Sequence, residues 1–220
     1  INNNFINENW NGLNILIQNA STVGLLDLKI LQDQREKTSS FFDDLNNKKF
    51  KLLYLLGSDN LEFKKDNEFV VYQGSHGDRG AEVADIIFPS AAYTEQNGLY
   101  ENLEGRIQEC KKASYPIGEA LEDWKILNRI TKKLGFQGKP SNFDELRKEV
   151  FETVTNFSEL NELPKKSEIK NSNIETIFIS EKILVRELDY YFTNSISRSS
   201  KTMSECRQIR QKIKKDGTNN

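Results

Sequence analysis

The sequence has few of the residues from which metal sites and nucleophilic active sites are built. Its 220 residues include one histidine, His76, and two cysteines, Cys110 and Cys206, which form no CxxC pair. Zinc and iron–sulfur sites need about four thiolate or imidazole ligands at clustered spacings. We therefore expect no such site built from this chain alone, and the sparse cysteines favour a reducing compartment such as the cytosol or the mitochondrial matrix.

The chain also lacks a basic excess, a long apolar run and a secretory signal pattern. A formal net charge of −2 gives no basic face of the kind that nucleic acid requires. No apolar run approaches the roughly 20 residues of a membrane helix, so we expect no direct membrane span. Only 36% of the residues are hydrophobic and 29% are charged. A chain this polar buries little apolar surface, and we expect a partner to order part of it.

Three short apolar segments in the middle of the chain predict a buried sheet. They are "FKLLYLLGSDN" (50–60), "EFVVYQG" (68–74) and "ADIIFPS" (84–90). Fully apolar strands that end in glycine, serine, aspartate or proline are typical of a parallel or mixed α/β sheet with flanking helices. In such sheets, ligands bind in the loops that follow the strand ends.

Helical periodicity flanks these strands. The pattern is strongest over 118–135, where acidic residues open the segment, Gly135 ends it and an apolar stripe predicts the inward face: Leu121, Trp124, Leu127, Ile130 and Leu134. Ser141 and Asp144 resemble a capping box for a second helix over 142–156, and a last helix is expected over 199–213. At the N-terminus, Trp10, Leu13, Leu16 and Ile17 have helical spacing.

These patterns divide the chain into three consecutive parts. Residues 1–49 form an N-terminal helical segment and connection, 50–160 an α/β core, and 161–220 a linker and an extended C-terminal arm. Pro164 to Asn173 has the composition of a linker, and 176–188 is strand-like.

Two groups of residues could carry chemistry. His76, in "GSHGDRG", has the residue type of a general base or of a ligand-binding side chain, with Asp78 near it to orient the ring. The alternative is a loop histidine that hydrogen-bonds backbone at a tight turn, and the lack of an obvious nucleophile favours it. Gly74, Gly77 and Gly80 form a GxxGxxG pattern, which differs from the dinucleotide fingerprint and indicates only close backbone approach.

The second group lies in "TEQNGLYENLEGR" and consists of Glu95, Glu101, Glu104 and Arg106. They could form an acid–base set or a structural ion-pair network on a loop. Such networks are common where loops fold back, and we favour this second interpretation.

The segment "VVYQGSHGDRGAEVADIIFPSAAYTEQNGLYENLEGRIQE" (70–109) resembles the C-terminal region of the large iron–sulfur subunit of respiratory complex I, the NADH:ubiquinone oxidoreductase. The family pattern is "YQGxHGDxGAxxADxILPxAAYTE" followed by "YxNxEGRxQ". The matching residues are Gln73, Gly74, His76, Gly77, Asp78, Gly80, Ala81, Ala84, Asp85, Pro89, Tyr93, Thr94, Glu95, Tyr100, Asn102, Glu104, Gly105, Arg106 and Gln108. The segments 9–28, 122–130 and 188–206 are similar to the family as well, whereas 33–49 and 137–187 match weakly.

The resemblance implies a molybdopterin-oxidoreductase-like fold without the molybdenum cofactor. In the family, a cysteine-rich N-terminal region holds the iron–sulfur clusters. This chain therefore resembles the C-terminal piece of a subunit whose cluster-bearing N-terminal piece is a separate chain or segment. No catalytic, cofactor-binding or metal residue is expected in this piece, whose own status as an enzyme is left open.

The implied role is a structural or assembly component of the matrix arm of complex I, at the mitochondrial inner membrane. Its partners would be the N-terminal iron–sulfur piece and neighbouring matrix-arm subunits. Aromatic side chains are the expected interface anchors: Trp10, Trp124, Tyr190, Tyr191 and Phe192.

Two alternatives stay open. The chain could be a fragment of an active molybdopterin-dependent oxidoreductase, in which His76, Glu95 and Arg106 would approach a pterin dinucleotide. It could also be a free-standing α/β interaction domain, folded and monomeric by itself.

Overall fold

The structure is a computed structural model that describes residues 6–7, 10–11, 16–17, 19–30, 41–154, 160–163 and 189–215. The chain forms two compact units that alternate along the sequence. The sheet unit comprises Gln34–Gln96, Lys112–Gln137 and Val185–Asn220, and the hairpin unit comprises Ile1–Asp33, Asn97–Lys111 and Gly138–Leu184. The division into the consecutive parts 1–49, 50–160 and 161–220 stays a prediction.

Short strands and helices follow one another along the chain. In order they are β1 (Ile6–Asn7), β2 (Trp10–Asn11), α1 (Thr22–Asp27), α2 (Phe41–Asn46), β3 (Leu52–Leu56), β4 (Phe69–Gly74), α3 (Arg79–Glu82), β5 (Ile86–Pro89), β6 (Gly98–Glu101), β7 (Ile107–Cys110), α4 (Asp123–Lys133), α5 (Phe143–Thr153), α6 (Ser195–Ser199) and α7 (Lys201–Lys215).

The sheet unit is built on three parallel strands in the order β3-β4-β5. The central strand, β4, pairs Val70 with Leu53 on one side, and Val71 with Ile86 on the other. The apolar segments of the sequence thus form a sheet that is parallel, one of the two predicted arrangements, and the α/β fold class is confirmed.

One face of this sheet carries the core of the unit. Since paired residues of parallel strands point to the same face, Leu53 and Leu55 lie beside Val70 and Tyr72 there. These four side chains and Leu45 of α2 are buried as one cluster. Partly buried apolar side chains surround it: Phe50, Leu61, Phe63, Ala81, Val83 and Ala84. The core therefore spans the sheet, the loop after β3 and the residues around α3.

Helix α4 is shorter than predicted, and the side of the helix that is buried differs from the predicted stripe. It begins at Asp123 rather than at 118, because Leu121 instead forms a parallel bridge with Ser90 beyond the end of β5. Its buried residue is Ile126, whereas Leu127 and Leu134 of the predicted inward stripe are exposed. The expected end is correct, since Gly135 has a φ of 84° and its N–H binds the carbonyl of Lys132.

Helix α5 is capped one residue later than the sequence suggested. The side chain of Asn142, not of Ser141, accepts a hydrogen bond from the backbone N–H of Glu145 at 2.9 Å. Glu145 in turn accepts the N–H of Ser141 at 2.8 Å. The N-cap is therefore Asn142 rather than the predicted Ser141. The predicted Ser141–Asp144 capping box does not form, because Glu145 accepts the N–H of the residue before the N-cap and not that of the N-cap itself.

The hairpin unit differs most from the sequence-based expectation. Trp10, predicted in a helical segment, lies in β2, and the helix of this region begins only at Thr22. The antiparallel hairpin of β6 and β7 was not predicted, although Gly105 at its turn has a φ of 82°, which glycine adopts without strain.

The predicted linker from Pro164 to Asn173 and the strand-like 176–188 lie outside the described residues.

The described part of the C-terminal arm is mostly helical from Ser195 onward. The expected helix over 199–213 forms as α6 and α7, which are separated by Ser200 in an extended conformation. No helix in the described part of the chain is both long and apolar enough to cross a bilayer.

Close packing at Gly80 yields a test of the sheet unit. A Cβ atom on Gly80 would lie 2.9 Å from the backbone oxygen of Ser58 and 3.0 Å from Cδ2 of Tyr72. We expect Gly80→Ala to lower the free energy of unfolding by about 1 kcal/mol or more, because overpacking outweighs the gain in helix propensity. Urea unfolding of the two proteins measures the difference.

Gly77→Ala is the matched control, since a Cβ there would meet nothing within 4 Å. It should change the free energy of unfolding by no more than about 0.5 kcal/mol. Equal effects of the two substitutions would contradict the packing described for Gly80.

Candidate functional site at the carboxyl edge of the sheet

The carboxyl ends of β3 and β4 are closed by an arginine from the C-terminal arm. Asp59 follows β3, Asp78 follows β4, and Arg198 of α6 lies between their carboxylates. Its guanidinium is 2.6 Å from Oδ1 of Asp59 and 2.7 Å from Oδ2 of Asp78. The side chains of Arg198, Asp59 and Asp78 are only 17%, 14% and 25% exposed. We call these three residues the arginine clamp.

Local sequence fixes both halves of the clamp. Asp78 is the N-cap of α3 and accepts the N–H of Arg79 through its other oxygen at 2.8 Å. On the arm, Asn194 and Ser197 form a complete capping box that starts α6 and fixes its first turn, in which Arg198 follows directly. The clamp joins residues 120 positions apart in sequence.

The charges of the clamp perturb the groups around it. Burial alone would raise the pKa of Asp78, but the hydrogen bonds from Arg198 and Arg79 outweigh it and hold the pKa below its usual value. Beneath the clamp, burial and the two carboxylates raise the pKa of Tyr72 to about 12. The Tyr72 hydroxyl therefore stays protonated and donates to the backbone oxygen of His76 at 2.6 Å.

His76 lies in the loop after β4, half-buried, and its ring Nδ1 is 3.0 Å from Oγ of Ser75. Its proposed orienting acid, Asp78, is engaged by Arg198 and by the Arg79 backbone instead. The geometry thus resembles the loop-histidine alternative more than a His–Asp pair. The glycine pattern also has a packing role, since Gly80 is buried against Ser58 and Tyr72, and its N–H binds the carbonyl of Asp59.

A second polar network lies on the other face of β4. Gln73 is fully buried and its amide donates to Oδ1 of Asp123 at 2.7 Å, while its oxygen accepts the Tyr54 hydroxyl at 2.5 Å. Gln96 binds the second oxygen of Asp123 at 2.9 Å and accepts the Asp123 N–H at 3.1 Å. Burial and the charge of Asp123 together raise the pKa of Tyr54. This network ties the first turn of α4 to the end of the central strand.

Glu95 has a local structural role in the same unit. Its carboxylate accepts the backbone N–H of Ala92 at 3.0 Å and so closes the turn after β5. Trp124, a predicted anchor, donates its indole N–H to Glu122 at 2.8 Å. Burial alone would raise the pKa of Glu122. The bond from Trp124 and the nearby Lys125 and Lys112 outweigh this effect, so the pKa lies below its usual value.

In the hairpin unit, the remaining candidates have separate contacts. Arg106 bonds the carbonyl of Asn161 at 2.5 Å, and the backbone N–H of Glu104 binds the side chain of Asn102 at 2.9 Å. Glu101 is buried facing α1, and its Oε2 has no hydrogen-bond partner within the described ranges. Burial and the charge of Asp27 raise the pKa of Glu101 to about 7. The structure shows no ion pair among Glu101, Glu104 and Arg106 in the part of the hairpin unit that it describes.

The tail aromatics are covered in part by arginines of α7. The guanidinium of Arg207 lies 4.5 Å from the ring centre of Phe192 and pairs with Asp189 at 2.5 Å. Arg210 lies over Tyr190 at 5.4 Å. Tyr190 is still exposed, so its predicted role as an interface anchor stays open. The side chain of Trp10 lies outside the described part.

Sequence reasoning missed the residues that organise this edge: Asp59, Gln73 as a buried link, Asp123 and Arg198. Arg198 lies in a serine-rich stretch, and its partners are far away in sequence. Its only local signal was the Asn194 cap, which predicts a helix start but not a partner.

The residues present at this edge do not fit an anionic pterin dinucleotide. A pyrophosphate needs free backbone N–H groups or cations, whereas this edge presents two carboxylates and an arginine that they already neutralise. Of the candidates for that role, each has a local contact: His76 with Ser75, Glu95 with the backbone of Ala92, and Arg106 with the carbonyl of Asn161. Within the described ranges, no group of three histidine, cysteine, aspartate or glutamate side chains could hold a metal ion.

The arginine clamp can be tested by removing its charge. We expect Arg198→Met to lower the free energy of unfolding by about 2 kcal/mol, between the values typical of surface and buried pairs, since it leaves two carboxylates facing each other. Hydrogen exchange should also become faster in α7. Arg198→Lys should recover only part of the loss, because one ammonium cannot match the guanidinium on both acids.

Arg79→Met is the matched control, because Arg79 pairs with Glu62 at an exposed position. Its effect should stay within about 0.5 kcal/mol. If Arg198→Met were equally mild, the clamp would not hold the arm.

The buried Glu101 predicts an unusual pH dependence. Because its pKa is about 7 in the folded chain, the protein gains stability from this group below the ordinary value of about 4.3 and loses it as the pH rises to 7. We expect Glu101→Gln to raise the free energy of unfolding at pH 8 by about 1 kcal/mol or more, and to give no gain at pH 4. Urea unfolding across this range measures both.

Glu104→Gln, at an exposed position on the same hairpin, should give no such pH-dependent gain. A gain from Glu101→Gln that persists at pH 4 would show that the charge of Glu101 is not its cause.

Comparison with known proteins agrees with this architecture. Residues 1–133 match the model of the molybdopterin oxidoreductase family, and residues 154–206 match that of the C-terminal part of the G subunit of NADH-ubiquinone oxidoreductase. A NADH-quinone oxidoreductase G subunit of Rickettsia typhi is 38% identical over 97% of this chain and 30% of its own length. The NADH-ubiquinone oxidoreductase 75 kDa subunit of Reclinomonas americana is 36% identical over 92% of this chain and 29% of its own length.

A mitochondrial NADH dehydrogenase [ubiquinone] iron-sulfur protein 1 of Solanum tuberosum is 33% identical over 96% of this chain and 28% of its own length. The chain thus spans less than a third of the length of these curated relatives. Since the family model covers more than half of the chain, including the whole sheet, this protein belongs to the molybdopterin oxidoreductase family, and it is similar to the G or 75 kDa subunits of complex I over most of its length.

Proposed function

We propose that this chain is a structural component of the peripheral arm of respiratory complex I, which transfers electrons from NADH to ubiquinone and couples this to proton translocation. It forms the C-terminal part of the large iron–sulfur subunit and contributes no redox centre of its own. The observation that supports this best is the match of residues 154–206 to the C-terminal part of the G subunit, next to the molybdopterin oxidoreductase match.

The geometry of the sheet supports a role without catalysis in this piece. In open α/β sheets the carboxyl edge is the usual ligand site. Here Arg198 fills that edge with an internal salt bridge, and Gln73, Asp123 and Gln96 hydrogen-bond to one another on the other face of β4. These side chains stabilise the fold and are not free to bind a substrate.

The partners that we propose are the cluster-bearing N-terminal part of the same subunit and neighbouring subunits of the matrix arm. Two relatives are named as mitochondrial proteins, which supports a mitochondrial location. We place the chain on the matrix side of the inner membrane, within the complex, with no nucleic-acid partner.

Affinity purification tests the proposal. The tagged chain, extracted from source membranes in mild detergent, should co-purify with flavin- and iron–sulfur-bearing subunits and with NADH:quinone activity. Mass spectrometry should also identify a polypeptide that corresponds to the N-terminal part. An untagged preparation treated in the same way is the control.

Two results would overturn the proposal. A small soluble complex that contains molybdenum would favour the alternative of an active molybdopterin enzyme. A folded monomer without stable partners would favour a free-standing interaction domain.

A further inference from the structure

Strand β3 has the sequence of an interior strand but lies at an edge. Leu53 and Leu55 are buried on the core face of the sheet, and Leu52 and Leu56 point to the opposite face, where they are 58% and 50% exposed. Strands that are apolar on both faces are typical of the interior of parallel sheets, which are covered on both sides. Among the described strands, however, β3 pairs with β4 alone.

The backbone of β3 leaves one row of groups directed away from the sheet. Lys51 accepts the N–H of Phe69, and Gly57 donates to the carbonyl of Gln73, so both point toward β4. Since alternate residues of a parallel strand face alternate sides, the N–H and C=O groups of Leu52, Tyr54 and Leu56 point to the open edge. Such a row is a template for pairing with a further strand.

The opposite edge of the sheet is partly closed. Beyond the end of β5, Ala91 donates to the carbonyl of Leu121 at 2.8 Å, and Leu121 donates to that of Pro89 at 3.2 Å. The segment before α4 therefore lies along this edge at its carboxyl end. The edge of β3 is bordered by exposed apolar side chains, because exposed Phe69 is the cross-strand neighbour of exposed Leu52.

The length of the relatives supports one choice of partner. The chain spans about 28–30% of them, and its end matches the C-terminal part of the G subunit, so the part that it does not span lies mostly before it. We propose that an apolar strand from this preceding part of the subunit pairs with the open edge of β3 and covers Leu52, Leu56 and Phe69. This inference rests on the proposed function and adds the surface through which the two parts of the subunit join.

Hydrogen exchange on unaltered protein is the first test. The backbone amides of Leu52, Tyr54 and Leu56 should exchange rapidly in the chain alone and slow by about 10-fold or more in the assembly, because they acquire hydrogen-bond partners. The amides of β4 that already pair within the sheet serve as the internal control. Unchanged exchange at these three positions in an intact assembly would overturn the proposal.

Substitution is the second test. Leu52→Glu with Leu56→Glu should leave the circular dichroism of the isolated chain unchanged, since both side chains are exposed there. The same variant should lower recovery of the preceding part by about 10-fold or more, because a charged pair replaces an apolar contact. Ile87→Glu, at an exposed position of β5, is the matched control and should recover the partner normally.

The two tests separate this inference from the proposed function. Loss of all complex I subunits from the unaltered chain would overturn the proposed function. Normal recovery of the preceding part by the Leu52/Leu56 variant would overturn the β3 interface alone. Loss of the partner with Ile87→Glu only would assign the interface to β5 instead, again against the proposal.

Discussion

The buried amide of Gln73 is the constraint on which the carboxyl half of the sheet unit depends. An amide at the centre of a sheet loses its water, and each of its unpaired groups would cost roughly 1–3 kcal/mol. Gln73 therefore requires both the Tyr54 hydroxyl and the Asp123 carboxylate. Asp123 is itself bound by Gln96. Because Asp123 begins α4, satisfying one side chain of β4 also fixes where the helix starts, and removing either partner of Gln73 would leave part of its buried amide unpaired.

The charges of two aspartates at the carboxyl edge of the sheet fix the position of the C-terminal arm. Asp59 and Asp78 follow neighbouring parallel strands, so the topology alone brings two carboxylates together. Their repulsion requires a cation, and Arg198 supplies one with a planar group that reaches both. A sheet edge that in related folds can receive an external ligand is here neutralised by the chain itself. Its architecture is that of a binding edge, but its electrostatics are those of a structural contact.

The sequence predicted the parts of this fold whose signals are local. The three apolar strands and the glycine after α4 followed from patterns within ten residues, and all are present. The helical placement of Trp10 was wrong, because the apolar residues around it fit a helical period whereas pairing with β1 places Trp10 in a strand. The clamp could not be predicted, since Arg198 and Asp78 are 120 residues apart and no spacing rule links them.

His76 was identified because histidine is rare in this chain, but Asp78 was assigned as its partner by proximity in sequence. In the structure, Asp78 instead pairs with Arg198.

The composition of the chain and the exposed apolar residues of the sheet unit both indicate that a partner covers the sheet. Only 36% of the residues are hydrophobic, and leucines and isoleucines of β3 and β5 are exposed on two strands of one sheet. In a self-sufficient domain, edge strands are usually protected by charges, prolines or bulges. Leu52 and Leu56 have no such protection on their own strand, where every residue is apolar or aromatic. Such an edge is a template for aggregation, and the strand pairing that we propose for β3 would protect it, which makes the sheet one part of a larger sheet.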